Sequence, residues 1–418
     1  MKILGIETSC DETAIAILDI EENENGTNVR VLANEILSQI ALHRPYGGVF
    51  PNLAKREHEK NLEPILQKAL AAAEMACGER VVLAESAERT SKPHAISAAA
   101  DFSAAVPRAG ATAGTSLQSS YAPTRSTAAP IDAVVVTQGP GLEPCLWTGI
   151  NFAKDLAKKW NVPLIPANHM EGHILAALLS QSGEQFPTSN FKFSIPEFPA
   201  LALLISGGHT ELVLMREFGK YEVIGKTRDD AVGECFDKTA RLLGLPYPGG
   251  PEISRLADSA RKLNLKLETS LPRPMIDSKD LDFSFSGLKT AVLYAIKKEI
   301  ETGGLSLDLK KGQSSGSKDR IATYAREIEE SITNVLVAKV EKVIEEYKIE
   351  SLIAGGGVIA NTFIRAALVK LAATYDIPLY LPHTSHATDN ALMIALAGYF
   401  NLKKEHSKDF GAEGNMSF

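Results

Sequence analysis

The sequence predicts an α/β fold packed as two lobes. Short apolar runs at strand spacing alternate with apolar patterns at helical spacing, the alternation recurs in the second half of the chain, and glycine-rich turns follow two of the strands. Residues 2–7, 14–19 and 31–40 read as a meander of strands, broken by the polar turn Thr8-Ser9-Cys10-Asp11-Glu12-Thr13. Residues 51–75 read as a helix, because Leu53, Leu62, Ile65, Leu66, Ala69 and Leu70 recur at its period, with a kink expected at Pro64. A buried strand over 131–137, a helix over 149–160, a strand over 163–166 and a helix over 171–179 complete a first βαβ alternation. The theme returns as a hairpin of 200–206 and 211–215, a long amphipathic helix over 321–347, a strand at 351–354, and helices over 361–375 and 389–400.

Between residues 84 and 130 Ala, Ser and Thr make up more than half of the chain, with no sustained period. So little large apolar surface does not offset the entropy of ordering, and a flexible surface insertion or linker is expected. A shorter polar loop is expected over 303–319, and the tail after residue 403 is expected to fray.

The 418 residues are 44% hydrophobic, 23% charged and 6% aromatic, enough for one large core or two medium ones, which excludes the disordered and fibrous classes. No apolar run approaches the roughly 18 residues of a membrane helix. Met1 opens directly into a strand-like segment without a charged leader, so a cytoplasmic protein with no membrane association is expected. The net charge of -7 means that any nucleic acid must be held by a local basic patch or by a partner. Cys10, Cys77, Cys145 and Cys235 contain no C-x-x-C pair, and four free thiols are expected.

Chemistry is concentrated in a few short stretches. In Asn168-His169-Met170-Glu171-Gly172-His173 two histidines stand four apart, which on a helix stacks both imidazoles on one face, close enough to share a metal. The best third ligand is Asp389, placed before an apolar helix that it is equally suited to cap. A zinc protease is the rival reading. Its general base directly follows the first histidine, where this chain has Met170; Glu171 lies about 200° around the helix from His169. Ser206-Gly207-Gly208-His209-Thr210 and Gly355-Gly356-Gly357-Val358-Ile359-Ala360-Asn361 each follow a strand, where backbone N–H groups can approach an anion, although both also serve as ordinary turns. Tyr247-Pro248-Gly249-Gly250-Pro251 reads as a rigid turn first. Carboxylates gather in two stretches read as loops, Glu7, Asp11 and Glu12 in one, Asp229, Asp230, Glu234 and Asp237 in the other, suited to hold a ribose, a metal-bound water or a proton in transit. His58, His94 and His406 read as surface residues.

These stretches stand in a recognisable order. Ile6-Glu7-Thr8-Ser9-Cys10-Asp11-Glu12-Thr13, Tyr46-Gly47-Gly48-Val49, Gly139-Pro140-Gly141-Leu142, His169-Met170-Glu171-Gly172-His173, Ser206-Gly207-Gly208-His209-Thr210, Phe236-Asp237-Lys238-Thr239-Ala240, the run from Asp282 to Thr290, and Gly356-Gly357-Val358-Ile359-Ala360-Asn361 closely resemble the bacterial TsaD family. These are the tRNA threonylcarbamoyladenosine transferases once labelled glycoproteases, and the likeness runs from residue 2 to about 400 apart from the insertion.

The resemblance implies a two-lobed actin-like, sugar-kinase-like (ASKHA) fold with its active site in the cleft. Residues 1–165, completed by 386–402, would form the N-terminal lobe and 166–385 the C-terminal lobe, with 84–130 as insertion and 403–418 as tail. It also implies transfer of a threonylcarbamoyl group from threonylcarbamoyl-AMP to the exocyclic amine of the adenosine 3′ to the anticodon of tRNAs reading ANN codons. By position, His169, His173 and Asp389 would be ligands of one divalent metal, iron in the first place and zinc as the alternative. Leu204, Ile205, Ser206, Gly207, Gly208, Asp237, Gly250 and Asn361 would line the adenylate site, and Asp11 or Glu12 would orient or deprotonate the amine. Implied partners are tRNA, a paralogous TsaB-type subunit and a TsaE-type ATPase.

The chain departs from the family in places. Asn168 replaces a histidine beside the ligand position, Leu204 stands where archaeal-type relatives carry a tyrosine that reaches the metal, Glu143-Pro144-Cys145 replaces small residues, and His386, in a segment where cysteine is common, becomes a candidate extra ligand. A small-molecule kinase on the same fold would have no need of the histidine pair, and the family's non-catalytic paralogues generally lack it.

Overall fold

A computed structural model describes residues 1–24, 26–77, 131–181, 190–268, 270–303, 315–402 and 409–418. The expected insertion over 84–130 lies outside the described residues, as do His94 and His406.

Two mixed sheets form the frame. The first is built from β1 (Lys2–Glu7), β2 (Glu12–Asn23), β3 (Gly26–Ser38), β4 (Ala133–Gly139), β5 (Leu164–Asn168), β6 (Leu179–Gln181) and β7 (Asn190–Phe193), in the order β5-β4-β1-β2-β3-β7-β6. β1, β2 and β3 pair antiparallel as the expected meander, and β4 and β5 run parallel to β1. The second comprises β8 (Ala200–Ile205), β9 (Thr210–Glu217), β10 (Lys220–Lys226), β11 (Ser351–Gly355) and β12 (Leu379–Tyr380), in the order β10-β9-β8-β11-β12. Both sheets therefore place their third, second, first, fourth and fifth strands side by side, the duplicated two-lobed arrangement that the resemblance implies.

Side chains alternate along the strands and fill three apolar layers. Leu4, Ile6, Val134 and Val136 point into a layer covered by helices α2 (Pro51–Cys77) and α3 (Glu143–Trp160), whose Leu62, Leu66, Leu146 and Ile150 meet them. Ile3 and Val135 point the other way, into a layer shared with Ala200, Ala202 and Leu204 of the second sheet. Helices α4 (His169–Ala177) and α10 (Ala391–Asn401) fill that middle layer; the apolar residues of α4, and of α10 up to Ala397, are buried all round. On the far side Leu201, Leu203 and Ile205 pack against α5 (Val232–Leu242), α6 (Gly249–Lys262), α7 (Ser286–Glu301), α8 (Ser315–Tyr347) and α9 (Thr362–Tyr375). β4 is buried on both faces, which is why Val134-Val135-Val136 shows no polar alternation.

Several expectations change. The first sheet extends to Phe193, past the boundary expected at residue 165, because β6 and β7 add to the edge of β3. The acidic stretch read as a loop is largely helix α5, with Val232, Cys235, Phe236, Thr239 and Ala240 on one buried face. Tyr247-Pro248-Gly249-Gly250-Pro251 leads into α6 rather than forming only a turn. His58 is fully buried, not on the surface. The tail is not frayed over 409–418, where it docks across the first lobe. The four cysteines are free thiols, as expected.

Candidate metal centre and cleft

The C-terminal ends of β1, β4, β5, β8 and β11 point into the space between the sheets, the usual place for a ligand in such folds. α4 starts there. Its N-cap is Asn168, whose Oδ1 accepts from the N–H groups of Met170 at 2.8 Å and Glu171 at 3.2 Å. One turn apart, the rings of His169 and His173 lie edge to face with centroids 4.8 Å apart. Asp389 arrives from the loop before α10, with Oδ1 3.4 Å from His169 Nε2 and 3.1 Å from His173 Nε2. A ligand atom from each of the three residues lies within 4.8 Å of the others.

Asp389 is free for this role because Asn390, not Asp389, caps α10: Asn390 Oδ1 accepts from Met393 N at 3.2 Å, while its amide donates to the Thr388 and His386 carbonyls. The competing reading of Asp389 as a cap is thereby excluded. His173 Nε2 is buried without a hydrogen-bond partner of good geometry, despite its closeness to Asp389. A buried nitrogen left so, aimed at a carboxylate and a second imidazole, fits a cation between the three.

The orientation of His169 comes from a residue that sequence reading left among several acids. Glu7, fully buried at the end of β1, accepts from His169 Nδ1 at 3.0 Å, from Thr137 Oγ1 at 2.7 Å and from the Ser9 N–H. With Nδ1 donating to Glu7, Nε2 faces Asp389 and His173, where a metal would take the place of its proton. Burial opposes charge on His169, yet the Asp389 and Glu7 carboxylates outweigh it and raise its pKa well above the ordinary histidine value. Burial lowers that of His173, and Asp389, despite burial, is held far below the usual carboxylate range by His169 and His173.

Glu171 turns away from this face, as expected: its Oε2 accepts from Asn401 Nδ2 at 2.6 Å on α10. No protease base is marked there. His386 stands outside the ligand group, its ring 5.4 Å from that of Phe191.

The remaining candidates take different positions. Glu12 and Asp11 follow β1, and Glu12 is held by Ser38 Oγ at 3.2 Å; burial, with the Asp11 and Asp389 charges, raises its pKa well above the usual value. Their loop is pinned from below by His58, which accepts from Thr13 Oγ1 at 2.8 Å and donates to the Cys10 carbonyl at 3.0 Å. Leu204 and Ile205 are core side chains of β8, so only their backbone is available to a ligand. Ser206 Oγ accepts from His209 N at 3.1 Å, and Gly207 and Gly208 are exposed with open space above them. Asp237 accepts from Gly249 N at 2.6 Å, and burial raises its pKa. Gly250 is the second residue of α6, next to Gly249. Asn361 caps α9 through Oδ1 and donates to Glu329 at 2.6 Å, so both ends of its amide are in structural use.

Gly356, just after β11, lies tight against the end of β8. Its φ of +92° favours glycine, and a Cβ there would collide with the Ile205 carbonyl oxygen, while one on Gly355 would lie 2.9 Å from the His173 carbonyl oxygen. α4 is thus seated directly on the ends of β8 and β11.

Comparison with known proteins adds to this geometry. The sequence model of the TsaD family, described as tRNA N6-adenosine threonylcarbamoyltransferase, matches residues 30–85 and 115–396. A protein of that name from Burkholderia pseudomallei (strain 1106a) is 39% identical over 415 residues, covering 98% of this chain and 96% of its own. One from Polynucleobacter asymbioticus is 38% identical over 413 residues, covering 97% and 94%. Among solved structures, the ROK hexokinase from Thermus thermophilus aligns over 97% of this chain and 100% of its own, with a TM-score of 0.36 and 12% identity. The activator of the 2-hydroxyisocaproyl-CoA dehydratase from Clostridium difficile aligns over 97% and 96%, with a TM-score of 0.41 and 13% identity.

Proposed function

This chain belongs to the TsaD family, the tRNA N6-adenosine threonylcarbamoyltransferases, and from that premise we propose that it moves the threonylcarbamoyl group of threonylcarbamoyl-AMP to the exocyclic amine of the adenosine 3′ to the anticodon in ANN-reading tRNAs, releasing AMP. The observation that carries the reading is the His169–His173–Asp389 group with its orphaned His173 nitrogen. A divalent cation held there, iron in the first place or zinc, would supply Lewis acidity toward the carbonyl and phosphate oxygens. The chain's own groups do the rest. Glu7 fixes the tautomer of His169. Exposed backbone at Gly207 and Gly208 offers donors to the adenylate phosphate, and Asp237 and Gly250 border the same space. Asp11 or Glu12 takes the proton that the amine loses on attack, and the raised basicity of Glu12 supports its candidacy.

The net charge of -7 supports tRNA binding shared with other subunits, a TsaB-type paralogue and a TsaE-type ATPase. No helix among the described residues is long and apolar enough to cross a membrane.

The deciding assay supplies threonylcarbamoyl-AMP and an unmodified ANN-reading tRNA to the wild type, His169→Ala and Asp389→Ala, with metal content measured on the same samples. Joint loss of metal and transfer in both variants is expected. Transfer that survives without metal would remove the metal group from the mechanism, and cleavage of a protein substrate in its place would return the protease reading.

A further inference from the structure

Residues 409–418 run from α3, past the turn after β4 and the start of α4, to β10 of the other sheet. Lys154 on α3 anchors the start, donating to the Phe410 carbonyl at 2.9 Å, and Gly411 lies against the Trp147 ring. The segment then runs over the turn after β4: Glu413 N donates to the Gln138 carbonyl at 2.9 Å, Gln138 Nε2 donates to Glu413 Oε1 at 2.7 Å, and Gly141 N donates to the Gly414 carbonyl at 3.1 Å. A side chain on Gly139 would collide with the Glu413 carbonyl, so the contact needs that glycine. Asn168 Nδ2 next donates to the Ser417 carbonyl at 3.2 Å. Finally the Phe418 ring packs on Tyr221 of β10, in the other sheet, with centroids 4.8 Å apart. Asn415, Met416 and Ser417 line a cavity of about 340 Å³ together with His209.

Asn168 is where this segment meets the metal centre. Its two amide atoms have separate tasks: Oδ1 caps the helix that begins with His169, and Nδ2 holds the segment. We propose that Asn168 is a positioning residue, and that through it residues 411–418 act as a strap that fixes the start of α4, hence His169, against both sheets. The residue in which this chain departs from its family's usual histidine is then the one that couples strap to metal. The proposal rests on the metal-dependent transferase reading given above.

Asn168→Ser separates the two tasks, because serine caps a helix as well as asparagine but is too short to reach Ser417. Three properties are read in this variant, in a chain ending at Phe410, and in the combination of the two: hydrogen exchange at the Glu413 and Gly141 amides (Gly141 alone in the shortened chain), release of bound zinc to a chelator, and transfer kinetics. In Asn168→Ser the exchange is expected to speed up, zinc release to rise about tenfold and kcat to fall about tenfold at unchanged KM for tRNA, with an unchanged unfolding midpoint. The combination is expected to be no worse than either change alone, since both break one coupling. Should the shortened chain fail to fold, Phe418→Ala replaces it. Wild-type zinc release and kcat in Asn168→Ser, or losses that multiply in the combination, would overturn the strap. A wild type that shows the exchange and zinc-release behaviour but transfers nothing would instead count against the transferase reading.

Discussion

Glu7 Oε2 lies 3.0 Å from His169 Nδ1, joining the last residue of the first strand to the first residue of the helix that carries the candidate metal ligands. Glu7 is wholly buried, and its other partners, Thr137 Oγ1 and the Ser9 N–H, leave it no freedom to turn. A carboxylate placed behind a ligating imidazole raises the basicity of the ligand and fixes its ring. Glu7→Gln keeps the shape but removes the charge. Metal affinity, measured by chelator competition, is expected to fall about 10–100-fold while His169 and His173 remain in place. Unchanged affinity would reduce Glu7 to a packing residue.

Glu12 carries a pH prediction. Burial first, then the Asp11 and Asp389 charges, raise its pKa in the folded protein above the ordinary 4.5. A carboxyl whose folded pKa is raised contributes stability fully below its unfolded value, and that contribution is lost as pH rises through the folded one. Glu12→Gln imitates the protonated form, so its thermal midpoint should exceed that of the wild type at pH 8 and converge with it near pH 4. If Glu12 is also the proton acceptor, the variant loses about 10²–10⁴-fold in single-turnover transfer, and wild-type transfer rises with pH through the raised value. Equal midpoints at pH 8 would contradict the raised pKa; full transfer in Glu12→Gln would shift the proton to Asp11.

That His169 and His173 would face one another was legible because a helix brings residues four apart onto one face, a purely local rule. Asp389 was named as the best third ligand beside its reading as a helix cap, and nothing local says that the neighbouring asparagine takes over that cap. Two misreadings had a visible signal. Val232, Cys235, Phe236, Thr239 and Ala240 follow a helical stripe that the surrounding carboxylates disguised as a solvated loop, and His58 sits four residues from both Ala54 and Leu62 on the buried face of α2. The docking of residues 409–418 had none. It depends on main-chain hydrogen bonds to Gln138 and Gly141 and on scattered long-range contacts such as Asn168 Nδ2 to the Ser417 carbonyl, none of which a local pattern reports.

Asn390 and Asp389 are adjacent yet separable. Asn390→Ala removes the α10 cap and the two carbonyl contacts that shape the Asp389 loop. It should cost about 1 kcal/mol or more in urea unfolding and also loosen metal binding. Asp389→Asn should abolish metal binding and, because His169 and His173 favour the ionised carboxylate in the folded protein, should also lower the urea midpoint of the metal-free protein at pH 7. Metal retained in Asp389→Asn would remove the carboxylate from the ligand group.

Asp229 offers a control remote from the metal. α7 has no side-chain cap from its own N-cap residue, Phe285. Asp229 supplies one from a distant part of the chain: Oδ1 accepts from the Phe285 and Ser286 N–H groups at 2.8 and 3.2 Å, and Oδ2 from the Ser284 and Ser286 hydroxyls, each at 2.6 Å. Partial burial works against the charge, but these four donors outweigh it and lower the pKa. The sign is therefore opposite to that of Glu12: the contribution is present above the unfolded value of 3.8 and is lost as pH falls through the lowered one. Asp229→Ala leaves two main-chain donors without their acceptor and removes a negative charge from a helix N-terminus, for an expected loss of about 1–2 kcal/mol at pH 7. That deficit should shrink steadily below pH 4, and metal retention should match the wild type throughout. A deficit that persists undiminished at pH 2 would show that Asp229 acts through packing and not through its charge.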